Sequence, residues 1–129
     1  MKSTTITIAG KQVGIAYCFA TEIAFRKYTG EDFNTYISTI SQQASQGNVD
    51  VDAEKSLYLI LSAIMAYYNG RGEETPVKDT DLMYECSPQE LITAYTEVMR
   101  LYREWYQIPA GEPEDRPAKD KGGRKRKNA

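Results

Sequence analysis

Threonine and isoleucine alternate from Ser3 to Ile8, the period-two pattern of a strand with one face turned inward. Ala9-Gly10-Lys11 follows as a turn signal, because Gly10 tolerates positive φ. Gln12 to Tyr17 can return as a second strand, so the chain is expected to open with a β-hairpin. The period then changes to that of helices. Ala20 to Thr29 forms a first helix, with Phe19, Ile23, Phe25 or Ala24, and Tyr28 marking its apolar side. Gly30 stands where a left-handed C-terminal cap belongs. Glu31 or Asp32 can open a second helix, in which Phe33, Tyr36, Ile37 and Ile40 recur at helical spacing. The polar stretch from Gln42 to Asn48 reads as a loop.

Asp50 or Asp52 can cap a third helix, with Glu54 in its first turn. From Leu57 to Tyr68 this helix is apolar on nearly every face, which places it in the middle of a bundle. Asn69-Gly70 ends it, and Arg71 to Pro76 is a charged loop. Asp79 to Cys86 makes a short helical turn carrying Leu82 and Met83. Ser87-Pro88-Gln89-Glu90 is the sharpest local signal. Ser87 and Glu90 can satisfy one another's backbone N–H groups, and Pro88 fits the first helical position. The last helix should run to about Tyr106 and stop before Pro109. Its stripe is Leu91, Tyr95, Val98, Tyr102 and Trp105, widened by Ile92, Met99 and Tyr106.

The expected fold is therefore mainly α, of the α+β kind. An N-terminal β-hairpin precedes a compact array of four to five helices in one domain over residues 1–108. Residues 109–129 lose all large apolar side chains and read as a disordered, charged tail, since no burial offsets the entropy of ordering them. The 129 residues suit one domain, and 41% apolar content is enough for one core.

Charge divides the same way. The body to Ile108 carries nine Lys/Arg against fourteen Asp/Glu, a net −5, and the tail carries seven against four, a net +3. An acidic body disfavours nucleic acid, because phosphate backbones need a basic face. The longest apolar stretch is shorter than the roughly 20 residues that a bilayer demands, so no membrane segment is expected. No signal-peptide core is present near the N-terminus, and two distant cysteines, Cys18 and Cys86, suit a reducing cytoplasm.

The chain contains no histidine. That removes the Ser-His and Cys-His nucleophile pairs and the commonest metal ligand. Asp50, Asp52 and Glu54 suggest a calcium loop, but positions 55 and 61 hold Lys55 and Leu61 where glycine and glutamate would be required. Helix capping is the better reading of these acids. Glu73-Glu74 is a solvated loop pair, with nothing nearby to split the two pKa values. The expectation is a binding protein: not an enzyme, with no cofactor and no metal.

Ten tyrosines are the compositional oddity. Tyr58, Tyr67 and Tyr95 fit a core. The last helix, however, carries more aromatic surface than one buried stripe needs, and aromatic residues are enriched at binding surfaces. Tyr95, Met99, Tyr102, Trp105 and Tyr106 are therefore candidates for a partner-binding face, with core packing as the alternative. Arg124, Lys125, Arg126 and Lys127 concentrate positive charge at the end of the tail. This run suits a solubilising tail, a nucleic-acid tether, a nuclear localisation signal or a clamp on an acidic partner.

The order of these features resembles the tail assembly chaperones of long-tailed bacteriophages and prophages. The residues that carry the resemblance are Ile6, Ile8, Gly10 and Lys11 of the hairpin, Tyr17, Phe19 and Phe25, then Thr29-Gly30 and Phe33. The match is closest over residues 4–33 and looser over the rest of the body. The basic run from Arg124 to Lys127 is not part of it. The resemblance implies a protein that binds the helical tape measure protein and keeps it soluble during tail assembly, with the tail tube protein as a further candidate partner. It also implies residence in the bacterial host cytoplasm, absence from the mature virion and, often, a longer frameshifted product. The competing expectation is a nucleic-acid-associated accessory protein that uses the basic tail.

Overall fold

The computed structural model describes residues 1–47 and 52–109. Strands β1 (Lys2–Ile8) and β2 (Lys11–Tyr17) form an antiparallel hairpin, with Ile8 opposite Lys11 and Lys2 opposite Tyr17. Five helices follow: α1 (Phe19–Thr29), α2 (Phe33–Ser45), α3 (Ala53–Asn69), α4 (Asp79–Tyr84) and α5 (Pro88–Trp105). The expected hairpin-plus-helices architecture is thus the observed one. The basic run Arg124 to Lys127, the tail beyond Pro109 and the candidate cap Asp50 lie outside the described residues.

The hairpin turn holds both central residues at positive φ, Ala9 at 52° and Gly10 at 78°. A type I′ turn requires this, because its twist matches that of the strands. Gly10 adopts it freely, whereas Ala9 does so against the preference of its Cβ.

α3 is the central helix, as its all-round apolarity suggested. Leu59, Ile60, Ala63 and Ile64 are completely buried, and the helix packs along α1 and β2, touching α5 and α4 as well. Asp52 caps it by accepting the Lys55 N–H at 3.2 Å. α5 lies across β1 and β2. Ile6, Ile8, Val13, Ile15 and Tyr17 from the hairpin complete one continuous core with Phe25, Phe33, Val98 and Leu101.

Two expectations are corrected. α2 continues to Ser45, through the polar stretch read as a loop. Nothing from Gln42 to Ser45 breaks a helix, so backbone propensity carries it onward without an apolar face. Gly47, at φ 69°, follows its end. The second correction concerns α1. Its buried residues are Thr21 and Phe25, while Phe19, Ile23 and Tyr28 are exposed. Residues two apart on a helix point about 200° apart, so Ile23 and Phe25 cannot share one face. The hairpin takes the Thr21 side, and Phe33 and Tyr36 of α2 meet the Phe25 ring at 5.5 and 5.1 Å.

Candidate functional site

Ser87 begins α5 with the expected reciprocal cap. Glu90 N–H donates to Ser87 Oγ and Ser87 N–H donates to Glu90 Oε1, both at 3.1 Å. The same carboxylate also accepts the N–H groups of Ala9 at 3.1 Å and Gly10 at 3.2 Å. These backbone donors hold the Glu90 carboxyl below the usual glutamate range. One side chain thus starts α5 and ties it to the hairpin turn, which fixes where the rest of the helix lies.

The aromatic candidates on α5 then fall mainly against neighbouring elements. The Tyr95 hydroxyl shares a 2.8 Å hydrogen bond with that of Tyr36, and burial pushes its pKa up. Tyr102 makes edge contacts with Tyr17 and Phe33, at ring-centroid distances of 5.6 and 5.4 Å. Met99 is partly buried against the core. Trp105 meets Phe19 edge-on at 5.5 Å. The Tyr106 ring is 41% exposed, and its hydroxyl donates to Glu22 Oε2. Tyr17 donates to the same oxygen at 2.7 Å. Partial burial and the Glu22 carboxylate push the Tyr106 phenol up to about 12. These five residues therefore anchor α5 to β2, α1 and α2. Tyr106 presents the most surface outward. The buried line of α5 is Ala94, Val98 and Leu101, and Ile92 points away from the core.

A group of exposed apolar side chains lies elsewhere, around α1. Phe19 is 60% exposed, Ile23 57%, Met1 54% and Tyr28 39%. Between α1 and α3 runs an open groove of about 530 Å³ whose lining includes Met1, Ile23, Lys27, Tyr28, Met65 and Ala66. The Tyr28 ring stacks on Tyr58 at 5.0 Å, and its hydroxyl rests against Met65 Sδ. Among the described residues, Lys27 supplies the one charged side chain lining the groove. Through the Phe19–Trp105 contact this surface continues to the end of α5. The sequence contained the signal: apolar residues on both sides of α1 exceed what one buried stripe uses. A second groove, of about 470 Å³, is bordered by Leu57, Leu82, Met83 and Leu91 beside α4.

Among the described residues no group of His, Cys, Asp or Glu is placed to hold a metal ion. No described helix is long and apolar enough to cross a membrane. Cys18 and Cys86 are both free thiols, and burial pushes the Cys86 thiol up. Glu73 and Glu74 are exposed on their loop. No family model, no curated protein and no solved structure matches the chain.

Proposed function

We propose that this chain is a non-enzymatic binding protein that covers an apolar helical stripe of another protein, in the manner of a phage tail assembly chaperone acting on its tape measure protein. The observation that carries this reading is the exposed apolar groove between α1 and α3, lined by Met1, Ile23 and Tyr28, with the exposed Phe19 one helical turn before Ile23. Soluble monomers rarely leave several large apolar side chains together in water, and such patches mark interaction surfaces. The groove runs between two helices, a shape that accepts a third helix by side-chain interdigitation. Lys27 on its wall favours an acidic residue beside the occupant's apolar stripe. Sequence order adds the resemblance of the hairpin and α1 to the chaperone family.

The experiment is co-expression with the tape measure protein of the same genome. The wild-type chain is expected to keep that protein soluble and to co-purify with it. Ile23→Asp combined with Lys27→Asp is expected to remain folded, because both positions are exposed, and to lose co-purification. Equal solubility of the tape measure protein with wild type, with the double variant or with neither would overturn the reading.

A further inference from the structure

The two edges of the hairpin are finished differently. In a two-residue hairpin the pair flanking the turn, here Ile8 and Lys11, exchanges both hydrogen bonds, and the pairs then alternate. Ser3, Thr5 and Thr7 therefore turn their N–H and C=O groups outward from β1, while Gln12, Gly14 and Ala16 turn theirs outward from β2. The β2 edge is closed by side chains. Gly14 N–H donates to the Tyr68 hydroxyl at 3.0 Å, and Thr21 Oγ1 donates to the Ala16 carbonyl at 2.9 Å.

The β1 edge has no such closure. Ser3, Thr5 and Thr7 are exposed, and their outward backbone groups have no hydrogen-bond partner among the described residues. The strand has no proline and no bulge, and its one charge, Lys2, stands at its first residue, away from Thr5 and Thr7. Beside it lies an open groove of about 420 Å³, with Thr5, Ile6 and Thr7 on one side and Gln89, Thr93 and Glu97 of α5 on the other. Gln89, Thr93 and Glu97 follow one another at helical i, i+4 spacing, so they form a continuous wall. Glu90 also lines the groove. No cation lines it. Arg100 is shared between Glu97 and Glu104, which leaves that trio net negative, and Glu90 stays ionised through its backbone donors.

We propose that the β1 edge is a strand-addition site for an extended segment of another protein that carries basic side chains at alternate positions. Its backbone pairs with Ser3, Thr5 and Thr7, and every second side chain faces the Gln89–Thr93–Glu97 wall, where Glu90 and Glu97 select cations. The site is separate from the α1–α3 groove and does not depend on what that groove holds.

The test is amide NMR and hydrogen exchange on the full chain, titrated with a peptide of alternating threonine and lysine and with its glutamate counterpart. The lysine peptide is expected to shift the Ser3, Thr5 and Thr7 amides and to slow their exchange by about tenfold or more at saturation. The glutamate peptide is expected to do neither. Thr5→Pro removes an outward N–H while sparing the β1–β2 ladder, and should abolish binding. Glu97→Lys, at a half-buried position of α5, should weaken the lysine peptide and leave the hairpin and α5 folded, as the unchanged amide spectrum of the free variant would show. Shifts confined to other amides, equal response to both peptides, or no response would overturn the proposal. So would protection already present in the free chain that is lost on truncation after Pro109, which would assign the edge to the chain's own tail. Protection that appears with rising concentration alongside a dimer in sedimentation would assign it to a second copy, and equally overturn it.

Discussion

Gly14 lacks a side chain because Tyr67 occupies the place where one would go. A Cβ at this position would overlap the Tyr67 ring at Cε1. That ring is held in turn by Tyr68, at 4.8 Å between centroids, and by the Arg71 guanidinium 4.3 Å above it. Gly14→Ala is therefore expected to destabilise the chain by about 1–3 kcal/mol in urea unfolding, the usual range for overpacking. Gly14→Ala together with Tyr67→Leu should recover part of this loss, since the two positions share one space. A neutral single variant would show that the ring does not lie against the strand. Nothing local in the sequence marks Gly14, because its neighbour is more than fifty residues away. The same holds for Glu22, which gathers the hydroxyls of Tyr17 and Tyr106. The aromatic residues of α5 were legible as a group, but which of them face inward depends on partners such as Tyr36 and Phe33.

At the scale of elements, Glu90 joins two pieces that are far apart in sequence. Its carboxylate accepts from Ser87, Ala9 and Gly10, and these donors depress its pKa on folding. A depressed carboxyl contributes stability that is present above its unfolded pKa and is lost as the pH falls through the folded value. Stability is thus expected to decline below the ordinary glutamate value of 4.5, and to decline less steeply in Glu90→Gln. Thermal unfolding at neutral pH and at about pH 3 measures both limbs. Faster exchange of the Ala9 and Gly10 amides in the variant would locate the effect at the hairpin turn, and identical acid limbs in the two proteins would refute it. The cap itself was readable from Ser87-Pro88-Gln89-Glu90, because capping is decided within one turn. Its second use was not, because Ala9 lies 81 positions away. α1 gives the opposite case. Its length and its Gly30 cap were readable, yet its inward face was assigned to Phe19, Ile23 and Tyr28 as well as Phe25, and only packing against the hairpin and α2 resolves that.

For the whole molecule, the decisive contrast is between apolar residues that are sealed and those that are not. Ile64 is fully buried in α3, while Ile23 is more than half exposed in α1. Ile64→Ala is expected to cost about 2–5 kcal/mol, the usual range for a core truncation. Ile23→Ala should stay within about 0.5 kcal/mol of wild type, as surface substitutions do. Denaturant unfolding of the two variants separates core from open surface. Comparable losses would mean that the α1–α3 groove is closed in solution, and would remove the basis for a docking surface there. The two candidate surfaces differ in kind. The groove offers apolar area to a helix, whereas the β1 edge offers backbone groups beside an acidic wall.

The sequence alone determined the element types, most of their ends and the hairpin-then-helices order. Alternation, caps and turns act through neighbours within a few residues, and that is where the pattern of Ile6 and Ile8, the Gly30 cap and the Ser87–Glu90 box carry their information. It also marked α3 as central, since a helix apolar on all sides has nowhere else to go. Tertiary structure alone decided which side of α1 is open, why Gly14 must lack a side chain, and why one hairpin edge is closed by Tyr68 and Thr21 while the other has no partner among the described residues. Those outcomes depend on contacts between distant segments, which form only when all the elements compete for the same core.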